Sequence, residues 1–66
     1  MNEQLRNALI LRYKAVMAEA EANIQVYLRN PAGIGEHSDI VAAIDEQVER
    51  AAAAAEKLDY IKGLKY

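Results

Sequence analysis

"NPAGIGEHSDI", residues 30–40, holds the only proline of the chain and two of its three glycines. Everything before it, from Asn2 to Arg29, is free of both and rich in Leu, Ala, Glu, Gln, Arg, Lys and Met. Such a run favours helix, because these side chains lose little rotamer freedom there. Pro31 lacks the amide a helix needs and pushes Asn30 out of the helical region, so a first helix is expected to stop near Leu28 or Arg29. Gly33 and Gly35 take positive φ at little steric cost and let a short connection reverse direction. Ser38 is expected as the N-cap of a second helix, with Asp39 placing a carboxylate in its positive first turn. The stretch therefore reads as a loop between two antiparallel helices. Ile34, between the loop glycines, is expected to fold over the open end of the hairpin near Tyr27 and Ile40.

Working outward, the chain is expected to be one all-α domain: helix over about residues 2–29, loop over about 30–38, helix over about 39–62. In the first helix Leu5, Leu9, Tyr13, Val16, Ala20, Ile24 and Tyr27 recur at steps of three or four, which stacks them on one side; Met17 and Leu28 widen the stripe. In the second, Ile40, Ile44, Val48, Ala51, Ala55 and Leu58 do the same. Asp45, Glu46, Glu49, Arg50, Glu56 and Lys57 fall on its far side. Facing residues of an antiparallel pair should have position numbers with a constant sum. Tyr27 with Ile40 gives 67, Ile24 with Ile44 gives 68, and Leu9 with Leu58 gives 67. The alanines at 51–55 combine high helix propensity with room for larger side chains opposite.

A hairpin of 66 residues has a small core, and such domains usually need a supplement. With no cysteine and one histidine, His37, neither disulfides nor a structural zinc site is the expected one. Oligomerisation is. The first helix carries a second uncharged series, Ala8, Leu11, Ala15, Ala18, Ala22 and Val26, roughly opposite the Leu9 and Tyr13 stripe. A helix apolar on two sides needs two neighbours. We expect this series to mediate self-association, giving a two-fold homodimer with a four-helix bundle.

The candidate chemistry is thin. His37 lies between Glu36 and Asp39, but one short loop with a single imidazole falls short of a transition-metal site. The inward Glu-x-x-His pairs of di-metal bundles are missing. "GIG" lacks the remainder of any phosphate-binding glycine motif. The single serine, Ser38, reads as a cap rather than a nucleophile. No catalytic residue, metal ligand or cofactor is expected, and the chain reads as a non-enzyme.

Charge excludes more. The formal net charge is -2, with four basic and three acidic side chains over residues 1–30, two and seven over 31–59, and two lysines after that. An acidic second half is a poor surface for a nucleic-acid backbone. In length and layout the chain resembles the plasmid-encoded RNA-binding hairpin that controls plasmid copy number. Arg6, Arg12, Lys14 and Arg29, however, point in scattered directions around the first helix, where RNA binding would want one basic stripe. The mixed charge and short apolar run of the first 14 residues predict neither a secretory signal nor a membrane span, so a cytoplasmic location is expected. In the tail "DYIKGLKY", Gly63 is expected to end the second helix as a C-cap, with Lys62 and Lys65 suiting its negative end. Tyr60, Ile61, Leu64 and Tyr66 are expected to dock near Leu5.

The stretch "VYLRNPAGIGEHSDIVAAIDEQVE", residues 26–49, resembles small helical proteins of marine tailed bacteriophages, including those infecting cyanobacteria. The resemblance covers about a third of the chain and implies no activity. It implies a phage accessory or virion-associated protein, in the host cytoplasm if so. Together these readings predict a noncatalytic helical module that binds protein. A small dimeric RNA-binding hairpin and a virion structural component are the alternatives.

Overall fold

In the computed structural model the described residues are 2–29 and 39–65, and they form two helices and no strand: α1, Glu3–Arg29, and α2, Ile40–Gly63. Ile34, Glu36, His37 and Ser38 lie outside the described residues, as does Tyr66. Each helix starts on a short polar side chain whose oxygen takes an otherwise orphaned amide. The Leu5 amide donates to Asn2 Oδ1 at 2.8 Å, and the Ala42 amide donates to Asp39 Oδ1 at 3.0 Å. Asp39 is thus the N-cap itself, with extended φ and ψ of -72° and 101°, where the first-turn position had been expected. Glu3 in the first turn and Arg29 in the last turn of α1 complement the helix dipole.

The helices pack antiparallel. Contacts between them climb α1 as they descend α2: Arg6 reaches Lys62, Tyr13 meets Lys57, Glu19 meets Arg50, and Asn23 meets Gln47. The shielded positions show why. On α1 they are Arg6, Leu9, Ile10, Tyr13, Val16, Met17, Ala20, Asn23, Ile24 and Tyr27; on α2, Ile40, Ala43, Ile44, Gln47, Arg50, Ala51, Ala54, Ala55, Leu58 and Ile61. Within each set one series, from Arg6 through Ile10, Tyr13, Met17, Ala20 and Ile24 to Tyr27 on α1 and from Ile40 through Ile44, Gln47, Ala51, Ala54 and Leu58 to Ile61 on α2, alternates steps of four and three. That is the 3.5-residue repeat of a left-handed coiled coil, slightly tighter than the 3.6 residues of a free helix.

This seam is wider than the expected one, whose Leu9, Val16 and Ala55 are shielded as expected. Leu5 and Val48, expected inside, are exposed. Arg6, Ile10, Gln47, Ala54 and Ile61 take seam places beside the expected residues. The constant sum survives the change: Ala20 with Gln47 gives 67, Tyr13 with Ala54 gives 67, and Ile10 with Leu58 gives 68. Two adjacent rows of α1 are apolar and both are partly shielded; the added row brings a polar residue into the seam on each helix.

The C-terminus of α2 also departs from expectation. Gly63 is the last helical residue and not a left-handed cap; Leu64 follows in an extended conformation, with its amide 3.4 Å from the Ile61 carbonyl oxygen. Arg6 performs the capping, its Nη2 donating to the Lys62 carbonyl oxygen at 3.1 Å. A guanidinium there satisfies an orphan acceptor and sits at the negative helix end. Of the expected docking residues Ile61 is buried, while Tyr60 is 72% exposed.

The core that results is slight. Among the described residues only Ala20, Ala54 and Ile61 are buried, and no large side chain is fully enclosed. Two helices offer each other one stripe apiece, and two stripes cannot surround a side chain.

Candidate functional site

Three features of the surface are built by the hairpin. The first is a polar cluster at its middle. Gln47 occupies a seam position, and its Oε1 accepts from Asn23 Nδ2 at 3.1 Å and from Arg50 Nη1 at 2.9 Å. Two donors converging on one oxygen use both of its lone pairs and fix the amide orientation. Arg50 Nη2 donates to Glu19 Oε1, closing a chain of four side chains across both helices. Arg50 had been expected on the far side of α2. Its long stem instead runs along the seam edge and delivers its charge to Glu19. The i to i+3 spacing of Gln47 and Arg50 put both on one face, a signal the apolar pattern passed over.

The second feature is a groove along the same edge. One part, about 370 Å³, is lined by Tyr13, Ala53, Glu56, Lys57, Tyr60 and Ile61. The adjoining part, about 270 Å³, is lined by Arg12, Tyr13, Val16, Arg50, Ala53, Ala54 and Lys57. The small alanines of α2 leave this trough open. Lys57 Nζ lies 5.9 Å from the centre of the Tyr13 ring, a cation–π distance. Arg12, Arg50 and Lys57 therefore share one groove, and Arg50 is already paired with Glu19; of the first-helix cations expected to scatter, Arg6, Lys14 and Arg29 do not line it.

The third feature is the outer face of α1. Ala8, Leu11, Ala15, Ala18, Ala22 and Val26 are all exposed on the isolated chain, with Leu11 at 66% and Val26 at 53%. At 100° per residue they lie nearly opposite the side of α1 that meets α2, and they run for about 27 Å. No charged residue interrupts them. The outer face of α2 is different, since Asp45, Glu49 and Glu56 are exposed along it.

Among the described residues no group of three or more His, Cys, Asp or Glu side chains stands close enough to hold a metal ion. No helix among them is long and apolar enough to cross a membrane. One buried polar atom is without a partner among the described residues, Arg6 Nε, and it belongs to the side chain that caps α2. Of the charged groups lining the groove, Arg50 is oriented by its hydrogen bonds to Gln47 and Glu19. No family, no curated protein and no solved structure matches the chain.

Proposed function

We propose that this chain is a noncatalytic helical interaction module that works as a homodimer of four helices and engages another protein. The observation that carries the reading is the uninterrupted uncharged outer face of α1, with Leu11 and Val26 largely exposed. Set beside a core of only three buried residues among those described, that face is apolar area the hairpin does not cover by itself. Self-association removes it from water and supplements a domain too small to rest comfortably on its own core.

Sedimentation equilibrium at micromolar concentration tests this. The expected mass is twice the 7.3 kDa of one chain, and Leu11→Asp is expected to return the monomer mass. A wild-type chain that stays folded and monomeric throughout overturns the reading.

A second reading has one observation in its favour. Arg12, Arg50 and Lys57 share a groove with Tyr13, and cations beside an aromatic ring suit RNA. The acids Glu19 and Glu56 on the same edge weaken it. A band shift with structured RNA that disappears in Arg12→Ala and Lys57→Ala would favour this reading. The resemblance of residues 26–49 to phage proteins supports a phage accessory or virion role for either form.

A further inference from the structure

We infer that the second copy docks antiparallel, α1 against α1, across a two-fold axis beside Ala15, with Arg12 of each copy paired to Glu19 of the other. The inference rests on the self-association proposed above and adds the face, the direction and the register.

Two independent features locate the axis. One is the uncharged face itself. In an antiparallel pair of identical helices facing residues have a constant sum, and Ala8 with Ala22 gives 30, Ala15 with its own copy gives 30, and Leu11 with Ala18 gives 29. The steps 8, 11, 15, 18 and 22 alternate three and four, the spacing of a coiled-coil seam. Alanines at most positions allow close approach of the two backbones, and the Leu11 side chains fill the remaining space. The other feature is charge. Arg12 and Glu19 border the face on one edge, and together they give 31, so the register that centres the apolar residues also levels these two charges to within about 1.5 Å along the axis. Arg50 takes Oε1 of Glu19. Oε2 remains for a second donor, so the contact extends an ion pair already in place to a network of three charges.

Direction follows from which edges meet. A two-fold axis perpendicular to the helices puts like edges together, so the Arg12 and Glu19 edge faces its own copy and forms two symmetric ion pairs. An axis parallel to the helices puts opposite edges together. That arrangement sets Arg12 near Lys14 of the other copy and Glu19 near Glu21, each twice, four like-charge contacts with no compensating pair. The antiparallel arrangement has one such contact, Lys14 with Lys14 beside the axis. Docking through α2 would press Asp45, Glu49 and Glu56 against their own copies or against a face without matching cations.

The two faces of α1 are nearly opposite. The four helices therefore lie in a row, α2 outermost on each side, and do not close around a shared core. The acidic surfaces of the two α2 helices end up as far apart as the assembly permits.

Cysteine cross-linking reads this directly, because the chain has no cysteine of its own. Ala15→Cys is expected to form a disulfide dimer on mild oxidation. Ala8→Cys alone is expected to form none, since its copy lies about 21 Å away along the axis. An equimolar mixture of Ala8→Cys and Ala22→Cys is expected to give the mixed dimer. Arg12→Glu is expected to weaken association about tenfold, and Arg12→Glu with Glu19→Lys to recover most of it. Circular dichroism of each variant at high concentration checks that the hairpin is intact. A sedimentation dimer in which Ala8→Cys self-links is parallel and overturns the inference alone. A dimer in which none of the three positions links uses another face, with the same consequence. A monomer overturns the self-association reading on which it rests.

Discussion

Ile61→Ala is the substitution whose cost follows most directly from the structure. Ile61 is the one large side chain among the described residues that is buried, at 7% exposure, and it closes the seam opposite Arg6. Truncation to alanine removes three carbons, worth about 2.4 kcal/mol at about 0.8 kcal/mol each. The site opens onto the groove lined by Tyr13 and Lys57, so neighbours relax into the gap and the cavity contribution is small. The total is about 2–3 kcal/mol. For a domain of this size that lowers the midpoint of thermal unfolding by about 10–20 °C. The assay is a melt followed at 222 nm, with wild type and variant at one protein concentration because association shifts the midpoint. Tyr60, the adjacent residue, is 72% exposed and serves as the control: Tyr60→Ala is expected to change stability by less than about 0.5 kcal/mol. A shift below about 5 °C for Ile61→Ala, or an equal shift for the two variants, would show that the seam is set on a different row and refute the assignment.

Other substitutions probe separate parts of the hairpin. Asp39→Ala removes the acceptor for the Ala42 amide and is expected to cost about 1 kcal/mol in urea unfolding, with Asp39→Asn restoring most of it. Gly63→Ala should raise stability by about 0.5 kcal/mol, because Gly63 is helical and an added Cβ meets nothing within 4 Å; a loss would mean the glycine caps the helix in a left-handed conformation. Gln47→Leu puts an apolar side chain in the seam and removes the acceptor shared by Asn23 and Arg50. Thermal stability should hold or rise while amide exchange shows more than one register, the known trade for a polar seam residue. Glu19→Gln breaks the pair with Arg50, and its cost should stay under about 1 kcal/mol and vanish in high salt, since both groups are partly exposed.

The end of α1 at Arg29, the start of α2 at Ile40 and the antiparallel sum of 67 or 68 are all legible in the order of residues. Each depends on backbone chemistry or on periodicity, which are local. The uncharged face from Ala8 to Val26 is legible in the same way, as a second periodic series on the same helix. How far the inward side of α1 extends is not. Leu9 and Val16 are shielded as their spacing predicts, but the shielding extends to Arg6 and Ile10 and leaves Leu5 exposed, which the apolar pattern does not foretell. The seam tolerates Arg6 and Gln47 because partners stand beside them: the Lys62 carbonyl across the seam for one, Asn23 across the seam and Arg50 on the same helix for the other. A polar group is admissible at a seam only when its partner stands opposite, and that partner is 24 residues away for Asn23 and Gln47, and 56 for Arg6 and Lys62. Local pattern determined that there would be two antiparallel helices; only their meeting decided which edge of each became the inside.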